Sequence, residues 1–277
     1  TIPAIRVVNG FTYYYIPYHF GSLIGPEKYW NEKWACRFFT ANWNQAIWIA
    51  IFYCITIHIG ERVMAKRKPI DLKMPLILWN VFFALFSFAG TIRMGEEILF
   101  VLRTRPLLDS ISYCVDPSQP AAFWAGCFAA SKAVELGDTL FVVLRRKRLI
   151  FLHWYHHAAV LIYVWHSATE LVAGGRWFIT MNYAVHAIMY SYYAVTAVGI
   201  RPPRCFSLLI TTLQTTQMLI GVIISFTVLH YKLQGRVIQQ SYENLLLCFA
   251  IYTSFAVLFM NFFQNSYMRR KMNVETS

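Results

Sequence analysis

Long runs of apolar residues follow one another along most of this chain, and its charged residues collect at short intervals between them. A helix needs about 20 residues to cross the hydrocarbon core of a bilayer. Seven segments approach or exceed that length: 44–64, 75–102, 121–144, 149–166, 176–199, 205–230 and 243–265. The second is long and ends with Arg93, Glu96 and Glu97, so its last turns are expected to leave the lipid. Residues 1–43 mix polar groups with Tyr, Trp and Pro and read as a lumenal or interfacial lead-in. The pattern predicts an all-α polytopic membrane protein with one seven-helix domain, 44–265, and a basic tail, 266–277.

Composition agrees with that pattern. Of 277 residues, 57% are hydrophobic and only 14% charged, where a soluble domain carries about 25% charged residues. The net charge of +12 raises nucleic acid as a partner, but the bases lie in loops, where positive-inside bias accounts for them. Arg62, Lys66, Arg67, Lys68 and Lys73 follow the first span, Arg145, Arg146, Lys147 and Arg148 the third, and Arg201 and Arg204 the fifth. Arg269, Arg270 and Lys271 follow the seventh. The opposite loops are poorer in bases and carry Asp109, Asp116, Glu170 and Glu243. The N-terminus is therefore expected outside or in a lumen, and the C-terminus in the cytosol. No basic-then-apolar leader pattern opens the chain, so the first span is expected to direct insertion.

An ionisable side chain within a span is costly, and each is a functional candidate by default. In the third span, "SKAVELGDTL" puts Lys132, Glu135, Asp138 and Thr139 three and four apart, hence on one predicted helix face. In the fourth, "LHWYHH" places His153, His156 and His157 on a shared face, with Trp154 and Tyr155 pointing elsewhere as packing residues. The fifth offers Asn182, His186, Tyr190 and Tyr193, and the sixth Gln214 and Gln217. Counted from the cytosolic ends at about 1.5 Å per residue, Asp138 and His156 lie ~10 Å deep, and His186, Lys132 and Gln217 ~20 Å deep. Four spans thus direct polar faces into the cytosolic half and midplane, whereas the lumenal half reads as mostly apolar. Isolated His19, His58, His166 and His230 read as packing or interfacial residues.

A His-x-x-His-His run also raises a transition-metal site, as in a membrane desaturase or hydroxylase. Such enzymes carry several histidine boxes, and this chain has one. Outside it only His186, Glu135 and Asp138 stand as further ligands, too few for two irons. The six cysteines show no metal spacing. The expectation is no metal. A seven-span lipid transporter is the non-enzyme alternative, and it requires polar groups along a path through both membrane halves.

Four motifs, "KAVELGDT", "LHWYHH", "MNYAVHAIMYSYY" and "TTLQTTQ", stand in an order and spacing that resembles the very-long-chain fatty acid elongase family, the membrane 3-ketoacyl-CoA synthases. The resemblance runs from about residue 65 to 265. Ile150 and "VAGGRWFITMNY" look like the branch acting on saturated and monounsaturated chains. Relatives often pair a cysteine after the second span with one after the sixth; here Cys114 is present, but "HYKLQGRVIQQS" has no cysteine.

The resemblance implies that a long-chain acyl-CoA condenses with malonyl-CoA, releasing carbon dioxide and CoA and needing no further cofactor. It implies an endoplasmic reticulum membrane setting, self-association as a homodimer, and contact with other enzymes of the elongation cycle. With no cysteine in the polar cluster, imidazole is the candidate nucleophile. His156 is the expected acyl carrier, with His153 or His157 as proton shuttle steadied by Asp138 or Glu135. His186 and Asn182 would hold the malonyl thioester oxygen, supported by Gln214 and Gln217, with Tyr190 and Tyr193 as further binding residues. Lys132 is expected to pair with Glu135 or Asp138. Arg145 and Arg148 are placed to meet CoA phosphates. The acyl tail is expected in a tunnel open to the cytosol, running between the fifth, sixth and seventh spans.

Overall fold

The computed structural model describes residues 2–265; the predicted basic tail 266–277 lies outside them. A β-hairpin opens the chain, β1 (Ala4–Val8) pairing antiparallel with β2 (Phe11–Tyr15). A 3-10 turn, Gly25–Tyr29, leads into α1 (Glu32–Asn42), whose first turn is capped by the Asn31 side chain accepting from the Trp34 amide. Then come α2 (Gln45–Ala65), α3 (Lys73–Thr104), the short α4 (Asp109–Ser112), α5 (Pro120–Val134) and α6 (Gly137–Leu144). The remaining helices are α7 (Phe151–Glu170), α8 (Gly175–Val198), α9 (Arg204–Leu233) and α10 (Tyr242–Phe263).

Six of the seven predicted spans match a single helix to within a few residues. The remaining one, the third, differs: segment 121–144 is two helices, α5 and α6, joined by a turn at Glu135 and Leu136. Gly137 sits at that turn, and a Cβ there would fall 2.7 Å from the Trp79 ring of α3. The break therefore brings the chain close against α3, and it turns the polar run of the third span in two directions.

Among the described residues, α2, α3, α9 and α10 are long and apolar enough to cross a membrane. α7 and α8 have comparable length, but their histidines, hydroxyls and amides lower their hydropathy, and α5 and α6 are individually short. Large apolar side chains cover the outer faces: Trp48 and Phe52 of α2, Phe82 and Leu85 of α3, Ile223 and Phe226 of α9 and Leu246 of α10 are all exposed. Together they form the lipid-facing surface of a multi-pass membrane protein.

The interior is built by two close helix pairs, α3 with α8 and α9 with α10, with α7 packed among α1, α2, α5 and α10. Gly90 lets α3 approach α8, since a Cβ there would stand 2.6 Å from Cζ of the Tyr183 ring. Tyr183 is buried and donates its hydroxyl to the Trp124 carbonyl of α5, locking three helices together. α7 ends at Leu171 in the left-handed region (φ 48°). Glu170 then accepts from both the amide and the hydroxyl of Ser241, the residue that caps α10.

In residues 1–43 the hairpin and α1 fold against one end of the bundle. Ile16 and Cys114 extend the chain-to-chain pairing begun by Tyr15, with Cys114 N donating to Tyr14 O and Ile16 N to Cys114 O. One expectation is corrected here: the half of the bundle away from the histidines is not mostly apolar. Arg93 and Glu97 are buried in the protein. Arg93 binds Glu27 and Glu96, and Arg176 is clamped by Glu97 at 2.7–3.0 Å. Arg176 also donates to the carbonyls of Ser110, Tyr113 and Cys114. These groups saturate one another, so burying them is tolerated. That mutual pairing distinguishes them from a polar path, which is the feature a transporter needs.

Candidate active site

The polar residues of α5 and α6 face a stripe on α8. Asn182, His186 and Tyr190 recur every four residues there, which in a helix stacks them along one side. Lys132 Nζ donates to both carboxylate oxygens of Glu135 (2.8 and 2.9 Å) and to Asn182 Oδ1 (3.0 Å). Ser131 adds a hydroxyl donor to Glu135. His186 Nδ1 stands 3.8 Å from Glu135 Oε2, beyond hydrogen-bond reach. The Lys132–Glu135 pair, both partners nearly fully buried, agrees with the expectation that a lone ammonium would not be left there.

One turn further, beyond the break, Asp138 accepts from Tyr190 (2.6 Å) and from the indole of Trp79. His157 Nε2 lies 4.0 Å from its Oδ2. Thr139 does not share this direction; it meets Tyr53 of α2 at 2.6 Å. The single face predicted for Lys132, Glu135, Asp138 and Thr139 is thus divided by the break.

The three histidines of α7 are divided as well. His153 and His157, one turn apart, stack edge to face with centroids 4.7 Å apart. His156 turns toward α10, against Phe255 (4.5 Å) and Phe259 (5.9 Å). Trp154 packs on His58, and Tyr155 donates to Ser254. Three buried imidazole nitrogens, His153 Nε2, His156 Nδ1 and His157 Nδ1, have no hydrogen-bond partner. A buried polar atom without a protein partner calls for an explanation, and a chemical role is one that imidazole nitrogens can fill. Among the described residues, no group of three or more His, Cys, Asp or Glu side chains is arranged to hold a metal ion.

An apolar cavity leads away from this cluster. His156, Asn182 and Gln217 line its near end, and Val160, Val164, Ser167 and Ala168 carry its wall along α7. α5 contributes Ala122, Ala125, Phe128 and Ala129, α8 Phe178 and Ile179, and α10 Ile251, Tyr252 and Phe255. Val8, Tyr13, Glu32, Ala35 and Cys36 line it as well. The cavity therefore borders the third and fourth predicted spans and the N-terminal segment, not only the fifth, sixth and seventh.

Some predicted site residues stand apart from the cluster. Gln214 donates to Met189 Sδ at 3.3 Å, and Tyr193 is exposed with its ring 6.4 Å from Tyr190. Arg145 is half-buried and Arg148 exposed in the turn before α7. Sequence reasoning missed Trp79, the donor to Asp138, and Phe255, the ring against His156. Trp79 and Phe255 belong to no polar or titratable motif, and no spacing signal separates them from core residues. All six cysteines are unpaired, Cys114 being fully buried.

A multi-pass helical membrane protein with buried imidazoles and carboxylates at the head of an apolar cavity is the class that these features define. The chain belongs to the ELO family of fatty acid elongases: the family described as GNS1/SUR4 matches residues 38–275. It is 45% identical over 259 residues to a Caenorhabditis elegans protein named putative fatty acid elongase 4, covering 93% of this chain and 87% of the relative. The Homo sapiens protein named very long chain fatty acid elongase 6 is 42% identical over 243 residues, covering 87% of this chain and 91% of its own length. The Gallus gallus protein of the same name is 42% identical over 245 residues, with the same coverage.

Proposed function

We propose that this chain is a membrane 3-ketoacyl-CoA synthase that condenses a long-chain saturated or monounsaturated acyl-CoA with malonyl-CoA. The observation that carries the reading is the position of His156. Its imidazole stands where the polar cluster meets the apolar cavity, with Nδ1 buried and unpartnered.

A neutral imidazole nitrogen attacks the acyl thioester carbonyl, the carbon–sulfur bond breaks, and CoA leaves as a thiol once it takes a proton. His157, beside Asp138 and His153, supplies that proton and takes one back from solvent, the single proton that the overall condensation consumes. The acyl chain lies in the cavity, whose walls keep water from the acyl-imidazole. Malonyl-CoA then loses carbon dioxide, and the electron pair of the broken carbon–carbon bond becomes an enolate on the remaining thioester. His186 and the Asn182 amide steady the enolate oxygen, Gln217 supports them, and Lys132 with Glu135 holds Asn182 in place. The enolate carbon attacks the acyl-imidazole, regenerating free His156 and releasing a 3-ketoacyl-CoA two carbons longer. No cofactor beyond the two thioesters enters this balance.

In this reading the chain spans the membrane of the endoplasmic reticulum seven times, the α5–α6 pair counting as one span. The C-terminus and the Arg145 and Arg148 turn lie on the cytosolic face, where guanidinium groups meet CoA phosphates. The test is to purify the protein in detergent and supply labelled malonyl-CoA with saturated acyl-CoAs from lauroyl to behenoyl. Acyl-dependent release of carbon dioxide and formation of lengthened 3-ketoacyl-CoA are expected. Release of neither with any chain length would overturn the proposal.

A further inference from the structure

The far end of the cavity rests on an element outside the predicted spans. Val8, Tyr13 and Cys36, all buried, form a small cluster together with Cys114, and Leu171 at the end of α7 packs against it. Tyr13 donates its hydroxyl to Cys36 Sγ (3.4 Å), and Cys36 Sγ donates to the Val8 carbonyl (3.8 Å). Arg6 on β1 is paired with Glu32 of α1 at 2.6 Å. This cluster is not a loose flap, because Cys114 is fixed from both sides. Its amide and carbonyl pair with the hairpin strand and its continuation, and the same carbonyl accepts from the buried Arg176.

We infer that the N-terminal hairpin and α1 form the stop at the end of the acyl cavity, and that Cys36 and Tyr13 set the longest chain the site elongates. The inference rests on the elongase reading above. From His156 to Leu171, α7 rises ~22 Å at about 1.5 Å per residue. An extended polypeptide advances about 3.5 Å for every three backbone bonds, so an extended alkyl chain covers ~1.2 Å per bond. The distance from the reacting carbonyl to the stop then admits on the order of eighteen bonds. A longer chain meets a packed cluster first. The Glu32 carboxylate also lines the cavity with Oε2 unpartnered, and an alkyl terminus against it would desolvate it at a cost.

The experiment compares the full chain with Cys36→Phe and Ala35→Leu, which fill the end, and with Tyr13→Ala, which opens it. Each is purified and given the same series of saturated acyl-CoAs with malonyl-CoA, and kcat/KM is read for each chain length. Cys36→Phe and Ala35→Leu are expected to lower kcat/KM at least tenfold for the longest accepted acyl-CoA while leaving shorter ones within about twofold. Tyr13→Ala is expected to extend the range to longer chains. An unchanged ceiling in any variant that still elongates the shorter chains overturns the inference. If the filled variants do not accumulate, Tyr13→Ala decides alone. Failure of the unsubstituted chain to elongate any substrate would strike the elongase reading instead.

Discussion

The Glu97–Arg176 clamp offers a quantitative test of how the bundle is held beneath its cavity. Both side chains are essentially inaccessible, and Arg176 spends its donors on Glu97 and on three carbonyls of the α4 turn region. Glu97→Gln removes one charge and leaves the guanidinium buried without its counter-ion, a loss of about 3–5 kcal/mol. Arg176→Met leaves the Glu97 carboxylate stranded, at a similar cost, and also strips donors from the carbonyls of Ser110 and Tyr113. Each of those adds roughly 1–3 kcal/mol. The Cys114 carbonyl suffers less, because it also accepts from Ile16 N. In the double variant neither charge is stranded. It should therefore be more stable than Arg176→Met alone, by about 2–4 kcal/mol. The assay is reversible unfolding in mixed micelles with increasing SDS, followed by tryptophan fluorescence. If Glu97→Gln destabilises the Arg176→Met background by as much as it destabilises the unsubstituted protein, the two losses are additive. The clamp would then not be acting as a charge pair.

Three further outcomes follow from the geometry. Gly90→Ala drives a methyl group into the Tyr183 ring between α3 and α8 and should destabilise by about 1–3 kcal/mol in the same unfolding assay; an unchanged midpoint would refute the close approach. Asp138→Asn keeps one acceptor, sets an amide donor against Tyr190 or Trp79, and removes the charge beside His157; kcat should fall by ~10²–10⁴ with a smaller change in KM, and a kcat within about twofold would refute its role. Burial raises the Glu27 carboxyl, but hydrogen bonds from Arg93, the Ile24 amide and Trp124 outweigh it and hold the group below the ordinary carboxylate range. Its stabilisation is thus fully present above the ordinary glutamate pKa and is lost as pH falls through the lower folded value; Glu27→Gln should remove that acid-side component of a stability-versus-pH curve, and an identical curve would refute it.

Much of this architecture is legible in the sequence because long, mainly apolar stretches announce helices. Their ends fall within a few residues of α2, α3, α7, α8, α9 and α10, and among the described residues α2, α3, α9 and α10 are long and apolar enough to cross a membrane. Residue spacing also locates the chemistry, since Asn182, His186 and Tyr190 fall on one face of α8 by helical period alone. The break at Glu135 was not legible. "ELGD" carries no proline, and its glycine matters because of Trp79, which is distant in sequence. The polar clamp of Arg93 is hidden for a related reason: charges near a span end read as departure from lipid unless a separate segment, here residues 1–43 with Glu27, folds over to pair with them. The N-terminal hairpin lay beyond any hydropathy signal. Its short alternating strands are weak evidence until Cys114 supplies the edge they extend. Within α7 the spacing groups three histidines, but only packing against Phe255 separates His156 from the pair beside Asp138.

The central claim is that His156 itself carries the acyl group, and the most direct test omits the second substrate. Purified protein is mixed rapidly with palmitoyl-CoA alone, and free CoA and the mass of the His156 peptide are followed. A burst of CoA stoichiometric with enzyme, with palmitoyl mass on His156, is the expected result. No burst from a preparation that elongates once malonyl-CoA is added would contradict the account and assign the histidines to proton transfer alone.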